Sequence, residues 1–145
     1  MTLPALSDSP CACTSLRKAA RAVSRVYDEA LIGTGMTIAQ FSVLRHIARC
    51  GDVPLSRLAE MLVMDRTSLY RALTPLERQG WIEIAQAGRG RARIALLTAA
   101  GREAMEKATP PWRAVQERLI GGLGADDWAR LETLLRDVVD VAGHD

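Results

Sequence analysis

Residues 65–79 read DRTSLYRALTPLERQ, with Gly80 and the run WIEIAQ directly behind them. Leu69, Leu73 and Leu76 stand at i, i+4 and i+7, the spacing of one buried helical face. Asp65 in front of them is an N-cap residue, its carboxylate able to accept from free N–H groups of the first turn. Arg66, Thr67, Ser68, Tyr70 and Arg71 fall off the leucine stripe. The front of this helix therefore carries cations, hydroxyls and a phenol on the side that does not pack. Upstream, Leu55, Leu58, Ala59 and Leu62 predict another short helix, with Val63-Met64 as a tight turn between the two. Downstream, Trp81–Ile84 alternates like a half-buried strand, GRGRA marks a turn and Arg93–Leu97 reads as the returning strand.

Two short helices, a tight turn and a basic hairpin describe a winged helix-turn-helix. A major groove about 12 Å wide admits one helix, while the helix before it crosses the backbone. Arginine can grip guanine through two hydrogen bonds; hydroxyls reach phosphate or base, and a Thr methyl or Tyr ring can touch the thymine methyl. Arg66, Thr67, Ser68, Tyr70 and Arg71 are the candidate base readers. Arg89, Arg91 and Arg93 alternate with small residues, which puts them on one side of a β-ribbon that can approach a phosphate backbone or the minor groove.

The rest of the chain supports a mainly α fold with this hairpin as its wing. Leu16, Ala19, Ala20, Val23, Tyr27 and Leu31 predict an amphipathic helix from Thr14 to about Ile32, and Thr37 with Gln40 forms a capping box for the next. Thr98 caps a further helix, which Pro110-Pro111 is expected to interrupt or bend. A bend, or an irregular last turn, is expected at Pro75 as well. A final helix from about Asp126 carries Trp128, Leu131, Leu134, Leu135, Val138 and Val139. Trp112, Trp128 and these stripes exceed what one helix-turn-helix core needs, which points to a dimer.

Charge is divided unevenly. Leu55–Arg93 holds seven arginines against four acids, whereas Ile94 onward holds six basic residues against nine acids. A basic middle suits a polyanion, and an acidic end argues against a generally adhesive cation. Cys11, Cys13 and Cys50 are an odd set without a disulfide framework, and with His46 and His144 they match no metal-ligand spacing. No cofactor motif, paired catalytic carboxylates or nucleophile–base arrangement is visible, so the chain does not read as an enzyme. With no apolar run of membrane-spanning length and no secretion signal, a cytoplasmic location is expected.

LSRLAEMLVMDRTSLYRALTPLERQGWIEI followed by GRGRARIALLTAAGREA resembles the multiple-antibiotic-resistance regulator (MarR) family of bacterial transcription factors. The resemblance runs from about Cys13 to Ala142. It is most specific at Leu58-Ala59, Asp65-Arg66, Leu76-Glu77, Gly80, Arg91, Leu97-Thr98 and Gly101. It implies a homodimeric regulator, a repressor by expectation, on a palindromic double-stranded DNA operator. The first, fifth and sixth helices would form the dimer region (residues 13–36 and 99–145). Residues 37–98 would form the DNA-binding lobe, with residues 1–12 disordered. Two recognition helices would then lie one DNA turn apart, about 34–36 Å.

Two departures from the family pattern matter. Glycine often stands where this chain has Val63, which implies a differently shaped turn. An aspartate usually precedes the wing's arginine pair, and here that residue is Arg89. The more cationic wing is expected to bind more tightly and with greater salt sensitivity. An Arg89→Asp variant should therefore lose affinity and show a shallower salt slope in a binding titration.

The resemblance also suggests signals. Small aromatic or phenolic acids would enter between the dimer region and the DNA-binding lobe, lined by Tyr27, Phe41, His46 and Trp112. The alternative is oxidation sensing. Cys13 with Tyr27 fourteen residues later is similar to the organic-hydroperoxide-sensing branch, although Ile38 stands where that branch carries a second tyrosine. A winged-helix module that binds protein is a further alternative, which the five arginines of helix and wing disfavour.

Overall fold

The computed structural model describes residues 9–86, 88, 90 and 92–143. Their order is α1 (Ala12–Ala30), α2 (Ile38–Cys50), β1 (Val53–Pro54), α3 (Leu55–Leu62), α4 (Arg66–Arg78), β2 (Ile82–Gln86), β3 (Arg93–Leu97), α5 (Ala99–Leu123) and α6 (Ala125–Gly143). The fold is mainly α, with a small antiparallel sheet in the order β1-β3-β2. Among the described residues no helix is long and apolar enough to cross a membrane.

Local chemistry starts and stops the helices. The Thr37 hydroxyl accepts from Gln40 N–H while the Gln40 side chain accepts from Thr37 N–H, a complete capping box for α2. Asp28 Oδ1 accepts from Ile38 N–H at 2.7 Å and so ties the end of α1 to the start of α2. Gly51 ends α2 with φ 69°. The first helix opens two residues earlier than expected, at Ala12, with Cys11 at its N-cap.

Val63 keeps the left-handed geometry that a glycine would give the turn, at φ 54° and ψ 45°. The departure from the family pattern therefore leaves the shape of the turn intact and strains a β-branched residue instead. Left-handed backbone costs an L-residue about 1–2 kcal/mol, partly offset by the entropy glycine loses on folding. A Val63→Gly variant should gain about 0.5–1 kcal/mol in urea denaturation. No gain would mean that contacts of the isopropyl group outweigh the strain.

The prolines do not interrupt their helices. Helix α4 runs unbroken through Pro75, and α5 is one helix of 25 residues through Pro110 and Pro111. A helical proline deprives the carbonyl four residues back of its donor. Here those carbonyls belong to Arg71, Glu106 and Lys107, all exposed residues that water can reach. The expected interruption at Pro110-Pro111 is thus corrected to a continuous helix.

The core lies in the winged lobe. Leu44 and Ile47 of α2, Leu58 of α3, Leu73 and Leu76 of α4, and Ala95 of β3 are fully buried together. Sequence patterning missed β1, a two-residue strand whose Val53 pairs Ala95 and whose Pro54 pairs Ile94. It clamps the start of α3 to the wing.

Helix α5 docks through its first turn. Thr98 Oγ1 donates to the Gly80 carbonyl at 2.6 Å, and Thr98 N–H donates to the Trp81 carbonyl at 3.0 Å. A Cβ on Gly101 would lie 2.1 Å from that Trp81 oxygen and 2.8 Å from Leu97 Cδ1. Backbone cannot yield as a flexible side chain does. Gly101→Ala should cost about 1–3 kcal/mol, read as a lowered midpoint in chemical denaturation.

Candidate nucleic-acid interface

The helix α4 is held by caps at both ends. Asp65 accepts from Ser68 N–H at 2.7 Å and from its hydroxyl at 3.1 Å. These two bonds, the N–H first, hold the carboxyl of Asp65 below its ordinary range, with a smaller pull from Arg71. The negative charge at the N-terminus thus persists over all ordinary pH values and complements the helix dipole. At the other end Trp81 N–H donates to the Leu76 carbonyl at 3.0 Å, and Gly80 takes φ 76°.

Leu69, Leu73 and Leu76 are buried, and they fix how the remaining side chains point. At about 100° per residue the stripe opposite them holds Thr67, Arg71, Thr74 and Arg78. All four are exposed. Thr74 and Arg78 were missed in the sequence, although the same helical spacing contains them. The Thr74 hydroxyl is turned back onto the Tyr70 carbonyl at 2.8 Å.

The other predicted readers sit on the flanks. The Ser68 hydroxyl is used in the Asp65 cap. Arg66 and Tyr70 lie on the edge nearest the wing, where with Pro54, Leu55, Ser56 and Arg93 they line a cavity of about 310 Å³. Tyr70 is half-buried against the core. Arg93 is exposed at the base of the wing, where it pairs with Gln86. Arg89 and Arg91 lie outside the described residues.

The predicted signal residues separate into one cluster and two outliers. Phe41 of α2 and Trp112 of α5 stack with ring centroids 5.4 Å apart, and the Arg45 guanidinium lies 4.5 Å over the Trp112 ring. One turn along α5, Gln116 accepts a hydrogen bond from the buried Tyr27 hydroxyl of α1. Burial pushes the Tyr27 phenol up, and Arg45 partly opposes it. Arg45, which covers the Trp112 ring, and Gln116, which holds the Tyr27 hydroxyl, gave no local signal in the sequence.

His46 stands apart, with Nδ1 2.7 Å from the Ser42 carbonyl of its own helix. Cys13 is exposed near the start of α1. Fourteen residues of helix separate it from Tyr27, about 21 Å at 1.5 Å per residue. The two cannot meet within one protomer. The neighbouring Cys11 thiol is lowered from its ordinary value by the Thr14 hydroxyl and by the N–H groups of Thr14 and Cys13. Among the described residues, no group of three or more His, Cys, Asp or Glu could hold a metal ion.

Comparison with known proteins agrees with this geometry. The MarR family model matches residues 36–86, from just before α2 to the end of β2. No curated protein sequence matches. Among solved structures, the Mycobacterium tuberculosis transcriptional regulator MosR in complex with DNA is 35% identical. That match covers 92% of this chain and 96% of that one, with a TM-score of 0.84. A mutant MarR from Escherichia coli complexed with operator DNA is 28% identical over 86% of this chain and 91% of that one, with a TM-score of 0.77. The apo form of wild-type Escherichia coli MarR is 26% identical over 90% and 98%, at 0.69. Identity at this level along almost the whole length of both chains, on the same winged fold, places the protein in the MarR family of transcriptional regulators.

Proposed function

We propose that the protein is a homodimeric repressor that binds a palindromic operator and is released by a small-molecule effector. The observation that carries this reading is the outer stripe of α4. It is a rigidly capped helix whose exposed side offers Thr67 and Arg71, beside a wing based on Arg93, in a fold shared with a regulator solved on DNA. Helix α4 enters the major groove and the wing approaches the minor groove. A partner copy supplies the second half-site reader.

The effector enters beside the Phe41–Trp112 pair, with Tyr27 held one turn along α5 by Gln116. An aromatic acid there would exchange the Phe41–Trp112 contact for its own ring and present its carboxylate to Arg45. Because α5 belongs to the dimer region and α2 to the winged lobe, separating them changes the spacing of the two recognition helices. The ligand then shifts the population toward a form that does not match the operator.

A gel shift on DNA upstream of the chain's own gene, with a salt titration and a scrambled duplex as control, tests the reading. Specific retardation that weakens steeply with salt is expected. Equal affinity for every duplex would remove operator recognition. Titrating aromatic acids into the same complex tests release.

A second reading, oxidation sensing through Cys13, is favoured by one observation. Cys11 and Cys13 are both exposed at the start of α1, and the thiol of Cys11 is acidified. Any tyrosine that holds Cys13 would have to come from the partner subunit. Peroxide treatment that abolishes operator binding in the wild type but not in Cys13→Ser would support it. Unaltered binding after treatment would exclude it.

A further inference from the structure

We propose that Tyr70 and Arg93 form a brace that fixes the wing relative to the recognition helix, so that Tyr70 is a positioning residue rather than a reader of bases. The Arg93 Nη1 donates to the Tyr70 hydroxyl at 3.3 Å, and its guanidinium carbon lies 5.6 Å from the Tyr70 ring centroid. One side chain thus engages both the polar end and the face of the other, across 23 residues of chain.

The need for a brace follows from how the wing is anchored. Ile82 and Ala95 bury the root of the hairpin, and β1 holds β3 only at Ala95 and Ile94. Arg93 is the next residue toward the tip, paired with Gln86 at the last described rung. This rung lies outside the reach of β1, where two strands pair without a third, and a two-stranded ribbon is marginal on its own in water. Among the described residues, the contact of Arg93 with Tyr70 is the outermost hydrogen bond between the wing and α4. Tyr70 is suited to the task because its ring is half-buried on the flank of α4, packed at the edge of the core, and lies away from the stripe of Thr67 and Arg71. Arg93 in turn spends its guanidinium on the ring at the wing's base.

This inference rests on the DNA-binding reading, and its test separates the two. In the free protein, amide hydrogen exchange of β2 and β3 should speed up in Tyr70→Phe, which loses the hydroxyl, and further in Tyr70→Leu, which also loses the aromatic face. Exchange in α2 should stay as in the wild type. Unchanged exchange in the wing would overturn the brace whether or not the protein binds DNA.

On the operator, Tyr70→Phe and Arg93→Gln should each weaken binding by about three- to tenfold. The double variant should be no weaker than the worse single one, because both remove the same contact. Multiplicative losses, together with a salt slope reduced by about 1 in Arg93→Gln alone, would make Arg93 a phosphate contact and overturn the proposal. A Tyr70→Phe loss confined to operators altered at one base pair would make Tyr70 a reader and overturn it equally. Failure of the wild-type protein to bind any duplex would instead remove the functional reading and leave the exchange result standing.

Discussion

Arg71→Ala will weaken operator binding by about 1–3 kcal/mol for each half-site, or roughly 5- to 150-fold per copy, and will act twice in a two-fold dimer. Arg71 is the natural choice among the arginines of α4. It lies directly opposite Leu69, Leu73 and Leu76, exposed on the outer stripe beside Thr67. Arg66 sits on the wing flank, at the mouth of the cavity shared with Tyr70. The substitution also leaves the fold alone, since Arg71 lies outside the buried set and alanine is the best helix former.

The measurement is fluorescence anisotropy on the operator and on a scrambled duplex, each over a range of salt. A base reader loses affinity on the operator far more than on the scrambled DNA, so the ratio of the two collapses. A phosphate contact lowers both equally and reduces the salt slope. If Arg71→Ala leaves the ratio untouched, the outer stripe of α4 does not read sequence. A smaller, more uniform loss is expected for Arg78→Ala, because base contacts concentrate at the N-terminal end of a recognition helix.

That ranking could not be read from the residues alone, and the reason is physical. Cap positions are local chemistry. Asp65, Thr98 and the Thr37–Gln40 box act within a single turn, and they stand in the structure as the sequence implies. The leucine stripe is equally local, so the buried face of α4 was legible. Features made by distant partners were not. The pairing of Val53 with Ala95 spans 42 residues, and two residues cannot show a period. Arg45 became part of the aromatic group only because α5 brings Trp112 over it. In the same way Tyr70, which resembles a reader by its place on the front of the helix, is turned by Arg93 into a neighbour of the wing. The prolines of α5 suggested an interruption that is absent, for a related reason. Their cost depends on whether the orphaned carbonyls meet water, a matter of tertiary exposure.

Leu135→Asp will convert the protein to a monomer at micromolar concentration and lower operator affinity by about 10²–10⁴-fold. In the single chain, α6 is a 19-residue helix without one buried residue. Leu131, Leu134, Leu135, Val138 and Val139 remain 38–59% exposed along it, and Leu16 and Val23 of α1 are about 40% exposed. An apolar face left open along the whole length of such a helix needs a cover. In the proposed homodimer a second copy of the same chain is that cover, and it also gives two readers their spacing. Leu135 lies at the centre of the stripe, four residues from Leu131 and Val139 and three from Val138. A carboxylate there must be buried without a partner or keep the interface open, and the two-fold axis imposes that penalty twice. Because Leu135 is not part of the core of the winged lobe, that lobe should keep its fold, which circular dichroism can verify. Operator affinity falls because a monomer holds one half-site and forfeits the second, which in the dimer binds at millimolar effective concentration. Sedimentation velocity decides the matter. A Leu135→Asp protein that still sediments as a dimer would show that some other surface joins the copies, and one that turns monomeric yet binds the operator undiminished would show that the palindrome is not read by pairs.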